Sequence, residues 1–315
     1  MGKMMNKVCF GVDIGGTAIK MGVFSLDGEL LSKWEFPTRR ENKDLYLQDI
    51  ANEIKQKSTE LKIDENDIIG VGVGIPGPVK EDGSVLELAN LGGGNFNIEQ
   101  ELSKLTGLKV KAGNDANMAA LGELWQGSGK GYRHLVFVTL GTGVGGGIVL
   151  NGNMLAGTNG AAGEIGHIYV NEEETDTCGC GKKGCLEQYA SATGIVRIAK
   201  RLLQESQEES TLRTIENITA KDIFDAAKAG DVIAYATVEQ ACKYLGIAMA
   251  HVGQIIDPQA FVIGGGVSKA GTIITDLVQK YYEMNVMESL KKREFKLAIL
   301  GNDAGIYGGA RLILA

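Results

Sequence analysis

The feature that most limits what this chain can fold into is a repeated arrangement of apolar strand, glycine turn and returning strand. It occurs as FGVDIGGTAIKMGVF at residues 10–24 and again as HLVFVTLGTGVGGGIVLNG at residues 134–152. The chain has 45 glycines, concentrated in runs that follow strand-like segments, so they mark turns that approach a ligand closely and not flexible linker. Two such hairpins imply an internal duplication, hence two related lobes with a cleft between them. The rest alternates strand and helix patterns, the mark of an α/β protein. Residues 68–76 (IIGVGVGIP) read as a buried strand closed by the Pro-Gly-Pro turn at 76–78, and residues 108–112 as a strand before Asn114. Residues 190–203 and 232–256 read as helices, residues 260–263 as a strand opening on Gly264, Gly265 and Gly266, and residues 305–314 as a last helix. The expected division is a small N-terminal lobe, 1–112, joined by a C-terminal helix at about 303–315, and a large lobe, 113–302, with a hinge near residues 111–114.

Composition removes several classes of function. With 315 residues and 44% hydrophobic content the chain can bury a core in each lobe. Its net charge of −7 gives no general attraction to nucleic acid or anionic lipid. The N-terminal MGKMMNK leads straight into strand-like VCFGVDI without the apolar region of a signal peptide, and no run approaches the roughly 20 apolar residues of a membrane span. A cytoplasmic protein that binds neither nucleic acid nor membrane is expected.

Three of the five cysteines, Cys178, Cys180 and Cys185, fall in one glycine- and lysine-rich loop, while Cys9 and Cys242 stand apart. His167 lies a short way upstream. An odd, clustered set without a secretion signal points to metal and not disulfides. One histidine and three thiolates form a closed tetrahedral set suited to structural Zn2+. The Cys-x-Cys spacing is not that of a redox pair, and a polar loop is a poor place for core cysteines. His134 and His251 have no such company and read as structural.

Three glycine sites end strands, where backbone N–H groups can meet phosphate oxygens. The first contains Asp13, Gly15, Gly16 and Thr17, with Lys20 on the returning strand; the second contains Thr142 and Gly143; the third is Gly264, Gly265 and Gly266. Each alone is an ordinary tight turn; the three in order, with an acid at the first, read as a nucleotide site. Asp13 could orient hydrated Mg2+. No GxxxxGK[ST] motif occurs, and no glycine run opens a dinucleotide-type βαβ unit. What remains resembles the actin-like (ribonuclease H-like) ATPases, in which duplicated lobes clamp ATP.

His167 within GEIGH (163–167), followed by CGCGKKGCLE (178–187), resembles the signature of the ROK family of sugar kinases and sugar-responsive repressors. The likeness runs from DIGGTAIK (13–20) through NDAN (114–117) to IGGGVS (263–268). It implies ATP-dependent phosphorylation of a hexose, glucose first, with Asp115 as catalytic base and Asn114, Glu164, His167 and Glu187 as sugar ligands. His167 would hold zinc through its other ring nitrogen. Gly77 and Asn90 are further sugar candidates by position. The segment NLGGGNF (90–96) departs from the pattern, with glycines where many relatives have an aromatic residue. The resemblance also implies a homodimer.

Other acceptors, such as N-acetylmannosamine, fructose or allose, fit nearly the same residues, and polyphosphate is an alternative donor. A sugar-sensing regulator of the family would carry a winged-helix region before the first lobe, whereas here the DIGGT turn begins at Asp13. Because the nucleotide turns lie on separate strand ends, loss of zinc is expected to disturb the sugar pocket and leave them alone.

Overall fold

The computed structural model describes residues 7–86, 88, 91–92 and 95–315. Asn90, one of the sugar candidates, lies outside the described residues.

In chain order the strands and helices are β1 (Val8–Ile14), β2 (Ala18–Ser25), β3 (Leu30–Pro37), α1 (Lys43–Leu61), β4 (Ile68–Ile75), β5 (Ser84–Val85), β6 (Phe96–Asn97), α2 (Ile98–Thr106), β7 (Val110–Asn114) and α3 (Asp115–Gln126). They continue as β8 (Leu135–Leu140), β9 (Val144–Leu150), β10 (Asn153–Met154), α4 (Glu187–Ala190), α5 (Ala192–Glu205), α6 (Ala220–Lys228), α7 (Val232–Ile256), β11 (Ala260–Gly264), α8 (Thr272–Asn285), β12 (Glu294–Leu297) and α9 (Ala304–Ile313). Both expected hairpins form. One sheet has the order β3-β2-β1-β4-β7 and the other β10-β9-β8-β11-β12. In the first, β1 pairs antiparallel with β2 and parallel with β4. In the second, β8 pairs parallel with β11, and β11 parallel with β12. Each sheet is therefore a three-strand meander extended by two parallel strands, the same plan twice. β5 and β6 form a separate small ladder.

The chain divides into two compact units, residues 1–133 with 147–163 and 300–315, and residues 134–146 with 164–299. The first unit runs through Arg133, past the break expected at 112/113, because α3 packs against α9 instead of leaving with the second half. Aromatic rings fasten that contact: Phe24 of β2 lies 4.8 Å from Tyr307 of α9, and Trp125 of α3 lies 6.5 Å from Tyr307, centroid to centroid. The 147–163 segment joins the first unit because β10 also packs on α3. The core of this unit gathers Phe10, Val12, Ile14, Met21, Tyr46, Ile50, Val71 and Val73 between the sheet and α1. Burying each large apolar side chain there is worth about 1.5–3 kcal/mol.

In the second unit Phe261 of β11 stacks on Phe295 of β12 at 4.8 Å and meets Tyr282 of α8 at 5.4 Å. α7 spans the whole expected run; the Asp231 side chain caps it by accepting from the Ala234 N–H, and Asp257 ends it in a left-handed conformation. The helix expected over 190–203 forms as α5, shifted by two residues, because Ser191 adopts an extended conformation and caps it by accepting from the Gly194 N–H; the short α4 ends just before that cap. Among the described residues no helix is long and apolar enough to cross a membrane.

Candidate functional site

In the first unit the site begins at the end of β1. Asp13 pairs with Lys20 across the hairpin. The turn between them closes by a Gly15 N–H bond to the Ala18 carbonyl at 3.0 Å and is braced by the Thr38 hydroxyl, which donates to the Gly15 carbonyl at 2.6 Å. Gly16 and Thr17 stand exposed at its tip. The Asp13 carboxyl packs against the start of α9, where a Cβ on Gly305 would fall 2.6 Å from the carboxyl carbon. Burial pushes the Asp13 pKa up to about 6; Lys20 pulls it down, and the charge of Asp115 pushes it further up. The Lys20 ammonium donates to the Asn302 carbonyl at 3.2 Å.

Asp115 is the first residue of α3 and Asn114 its cap. The Asn114 amide oxygen accepts from the N–H groups of Ala116 and Asn117, and its amide nitrogen donates to the Gly77 carbonyl at 3.0 Å. Gly77, with φ of 87°, thus anchors Asn114, whose side chain also hydrogen-bonds the Asp115 carboxylate. Asp115 is open to solvent on one side while protein atoms crowd its carboxyl on the others. That crowding raises its pKa, against the pull of the Ala116 N–H and the Asn114 side chain. An accessible carboxylate with a raised pKa is a competent proton acceptor for a hydroxyl.

In the second unit a short ladder, Val170 N–H to the Gly184 carbonyl and Leu186 N–H to the Ile168 carbonyl, brings the cysteine loop back beside His167. The ligand atoms of His167, Cys178, Cys180 and Cys185 all lie within 4.8 Å of one another. His167 Nδ1 is 3.7 Å from Cys178 Sγ, and the sulfurs of Cys180 and Cys185 are 3.6 Å apart. A tetrahedral ion bound at about 2.3 Å by sulfur spaces its ligands at about 3.7 Å, so the donor set fits zinc in kind and size. The other ring nitrogen of His167 lies 4.0 Å from the Glu164 carboxylate. The imidazole therefore presents one nitrogen to the thiols and the other toward Glu164.

Sequence reasoning missed how this loop is fastened. Glu174, whose side chain is fully buried, accepts from the Tyr189 hydroxyl at 2.6 Å, from Arg197 at 2.6 Å and from Arg201 at 2.9 Å. Burial opposes its charge, yet hydrogen bonds from Arg201, Tyr189 and the Asp176 N–H bring its pKa down to about 2. The available signal was the acidic run before Cys178 facing two arginines one helical turn apart on α5.

The glycine turn of the second hairpin is tied to the segment that leaves the cysteine loop. Glu187, at the start of α4, accepts the Val144 N–H at 3.0 Å, and its other oxygen lies 3.9 Å from Cys178 Sγ. A Cβ at Gly143 would fall 2.4 Å from the Glu187 carboxylate and displace it from its present position. Glu187 thus links the cysteine loop to the turn at residues 141–144. Beside the turn a cavity of about 530 Å³ opens, lined by Thr142, Thr219, Lys221, Phe224, Gly266 and Lys269 among others. Its volume is in the range of small-molecule sites, roughly 300–1,000 Å³. Thr142 and Gly266 both line it, whereas Gly264 ends β11 and Gly265 makes the turn that follows. The contributions of α6 and of Lys269 and Ala270 carry no sequence motif and become visible only when the fold joins them.

The repeated sheet plan, with carboxylates at strand ends and glycine turns after the first strand of each hairpin, defines an actin-like ATPase fold. The chain belongs to the ROK family, whose profile matches residues 9–315. It is 43% identical over 98% of its length to a glucokinase of Halalkalibacterium halodurans, covering 96% of that protein. Among solved structures it resembles the ROK hexokinase of Thermus thermophilus, with 31% identity, a TM-score of 0.80 and 97% of each chain covered. It also resembles a ROK glucokinase of Streptomyces griseus in complex with glucose and AMPPNP, with 32% identity, a TM-score of 0.74, and 97% of this chain and 98% of that one covered.

Proposed function

We propose that this chain is an ATP-dependent glucokinase that phosphorylates the 6-hydroxyl of glucose, yielding glucose 6-phosphate and ADP. The observation that carries the reading is Asp115: an accessible carboxylate of raised pKa, held at a helix start by its own cap, in a ROK chain whose near relatives are glucokinases over their full length. Asp115 accepts the proton of the 6-hydroxyl as its oxygen bonds to the γ-phosphorus, and the bond from that phosphorus to the β,γ-bridging oxygen breaks toward ADP. The amide of Asn114 and the carboxylates of Glu164 and Glu187 hold ring hydroxyls, joined by the outer nitrogen of His167. Gly77 positions Asn114. Asp13 is the carboxylate that would orient hydrated Mg2+, which would supply charge neutralisation when bound with the nucleotide. Backbone N–H groups at Gly15, Gly16 and Thr17 and at Thr142 and Gly143 receive phosphate oxygens, and the cavity of α6 receives the nucleoside.

On the same reading His167, Cys178, Cys180 and Cys185 hold structural zinc, which when bound fixes the tautomer and direction of the His167 ring. The protein works in the cytoplasm as a homodimer, in carbohydrate breakdown. ADP release measured with glucose, N-acetylmannosamine, fructose and allose, and with ATP or polyphosphate as donor, tests the substrate assignment. Glucose with ATP should give the highest kcat/KM; a higher value for another pair would replace it.

A further inference from the structure

The turn at residues 141–144 has an unusual distribution of hydrogen bonds. The Gly141 carbonyl accepts the Ala192 N–H at 2.8 Å, the Thr142 carbonyl accepts the Thr193 hydroxyl at 3.0 Å, and the Gly143 carbonyl accepts the Gly141 N–H at 3.0 Å. The Val144 N–H is taken by Glu187. The N–H groups of Thr142 and Gly143 have no partner among the described residues. A peptide is planar and trans, so fixing a carbonyl in one direction fixes the N–H of the next residue in the opposite one. With the Gly141 and Thr142 carbonyls both drawn toward α5, the Thr142 and Gly143 N–H groups are both aimed away from it, as a pair. The donors that do this exist because the chain breaks at Ser191: the Ala192 N–H is one of the orphan donors of a new helix start, and the Thr193 hydroxyl stands beside it, 3.0 Å from that of Ser191.

We propose that the segment from Glu187 to Thr193 is a strap that sets the nucleotide turn, and that Thr193 is a positioning residue for phosphate binding. Thr193 touches neither the cysteine cluster nor the sugar candidates; it acts through the Thr142 carbonyl. Glu187 closes the other end, so the metal loop and the phosphate turn move as one body. The inference rests on the reading that this turn receives the phosphates of ATP.

The test compares the full-length parent with Thr193→Val, which keeps the shape and removes the hydroxyl, and Thr193→Ser, which restores it. ADP and glucose binding are measured by calorimetry, zinc content by elemental analysis and folding by circular dichroism. Loss of one hydrogen bond that orients a turn should weaken ADP by about three- to tenfold in Thr193→Val. Glucose affinity and zinc content should stay at parental values, and Thr193→Ser should recover ADP affinity. Hydrogen exchange of residues 139–145 in the parent should slow when ADP binds. No slowing in the parent overturns the nucleotide reading of the turn itself. Slowing in the parent together with unchanged ADP affinity in Thr193→Val overturns the strap, as does an equal loss of ADP and glucose or a failure of Thr193→Ser to recover.

Discussion

Replacing Asp13 with Asn should make the ligand-free protein more stable and the enzyme far worse. The Asp13 carboxyl is wedged against Gly305 at the start of α9, and burial moves its pKa from 3.8 to about 6. The sign follows from linkage. A carboxyl with a raised pKa contributes most to stability below its unfolded pKa, where it is neutral in both states, and that contribution is lost as pH rises through the folded value. A shift of this size makes the ionised group cost about 3 kcal/mol at neutral pH, at about 1.4 kcal/mol per pKa unit. Most of that cost is relieved by about pH 4.5, leaving about 1 kcal/mol, so the stability gap between variant and parent should widen by about 2 kcal/mol between about pH 4.5 and about pH 7.5. For a unit of this size that is about 4–8 °C in melting temperature. Thermal melts of both proteins, without Mg2+ or nucleotide, read it directly. Turnover with Mg2+ and ATP should fall by roughly 10²–10³-fold, since the charge that orients the ion is gone. Parallel melting temperatures across that range, or a variant less stable at the higher pH, would refute the claim that Asp13 is held charged at a cost to the fold.

The purified protein should contain about one zinc per chain, and elemental analysis of active protein finding none would remove the metal from the account. Cys180→Ser, once shown to be folded, should weaken glucose and also ADP, because Glu187 joins the metal loop to the Val144 N–H; calorimetry showing loss of glucose alone would contradict that linkage. Glu174→Gln should lower stability near neutral pH by about 3 kcal/mol, the weight of moving a carboxyl pKa from 4.5 to about 2. Its deficit should persist down to about pH 4.5 and shrink only as acid titrates the parent toward the folded value, and a deficit independent of pH down to about pH 2 would show that packing, not charge, holds the loop.

Much of this was legible in the sequence, for identifiable reasons. Strand-turn-strand hairpins announce themselves because glycine is needed where Asp13 and Thr142 sit at strand ends, and α7 because its apolar face runs unbroken from Val232 to Ile256. The cysteine cluster was readable because three thiols and a histidine have few other uses in a polar loop. The short α4 and the cap at Ser191 were not, since a helix cap depends on one residue's backbone conformation and leaves the apolar pattern intact. Nor was the continuation of the first unit through α3, which depends on Trp125 meeting Tyr307 from the far end of the chain. The cavity beside Thr142 joins α6 to residues after β11, and no local pattern marks residues whose shared purpose arises only from topology.

The central claim is that Asp115 is the base of a glucose kinase. Glucose binding by calorimetry, together with steady-state transfer from ATP, in the parent and in Asp115→Asn tests it most directly. The account predicts glucose affinity within a few fold of the parent and turnover lower by roughly 10²–10⁴-fold, the usual weight of general base catalysis. Turnover within a few fold of the parent, with glucose still bound, would contradict it.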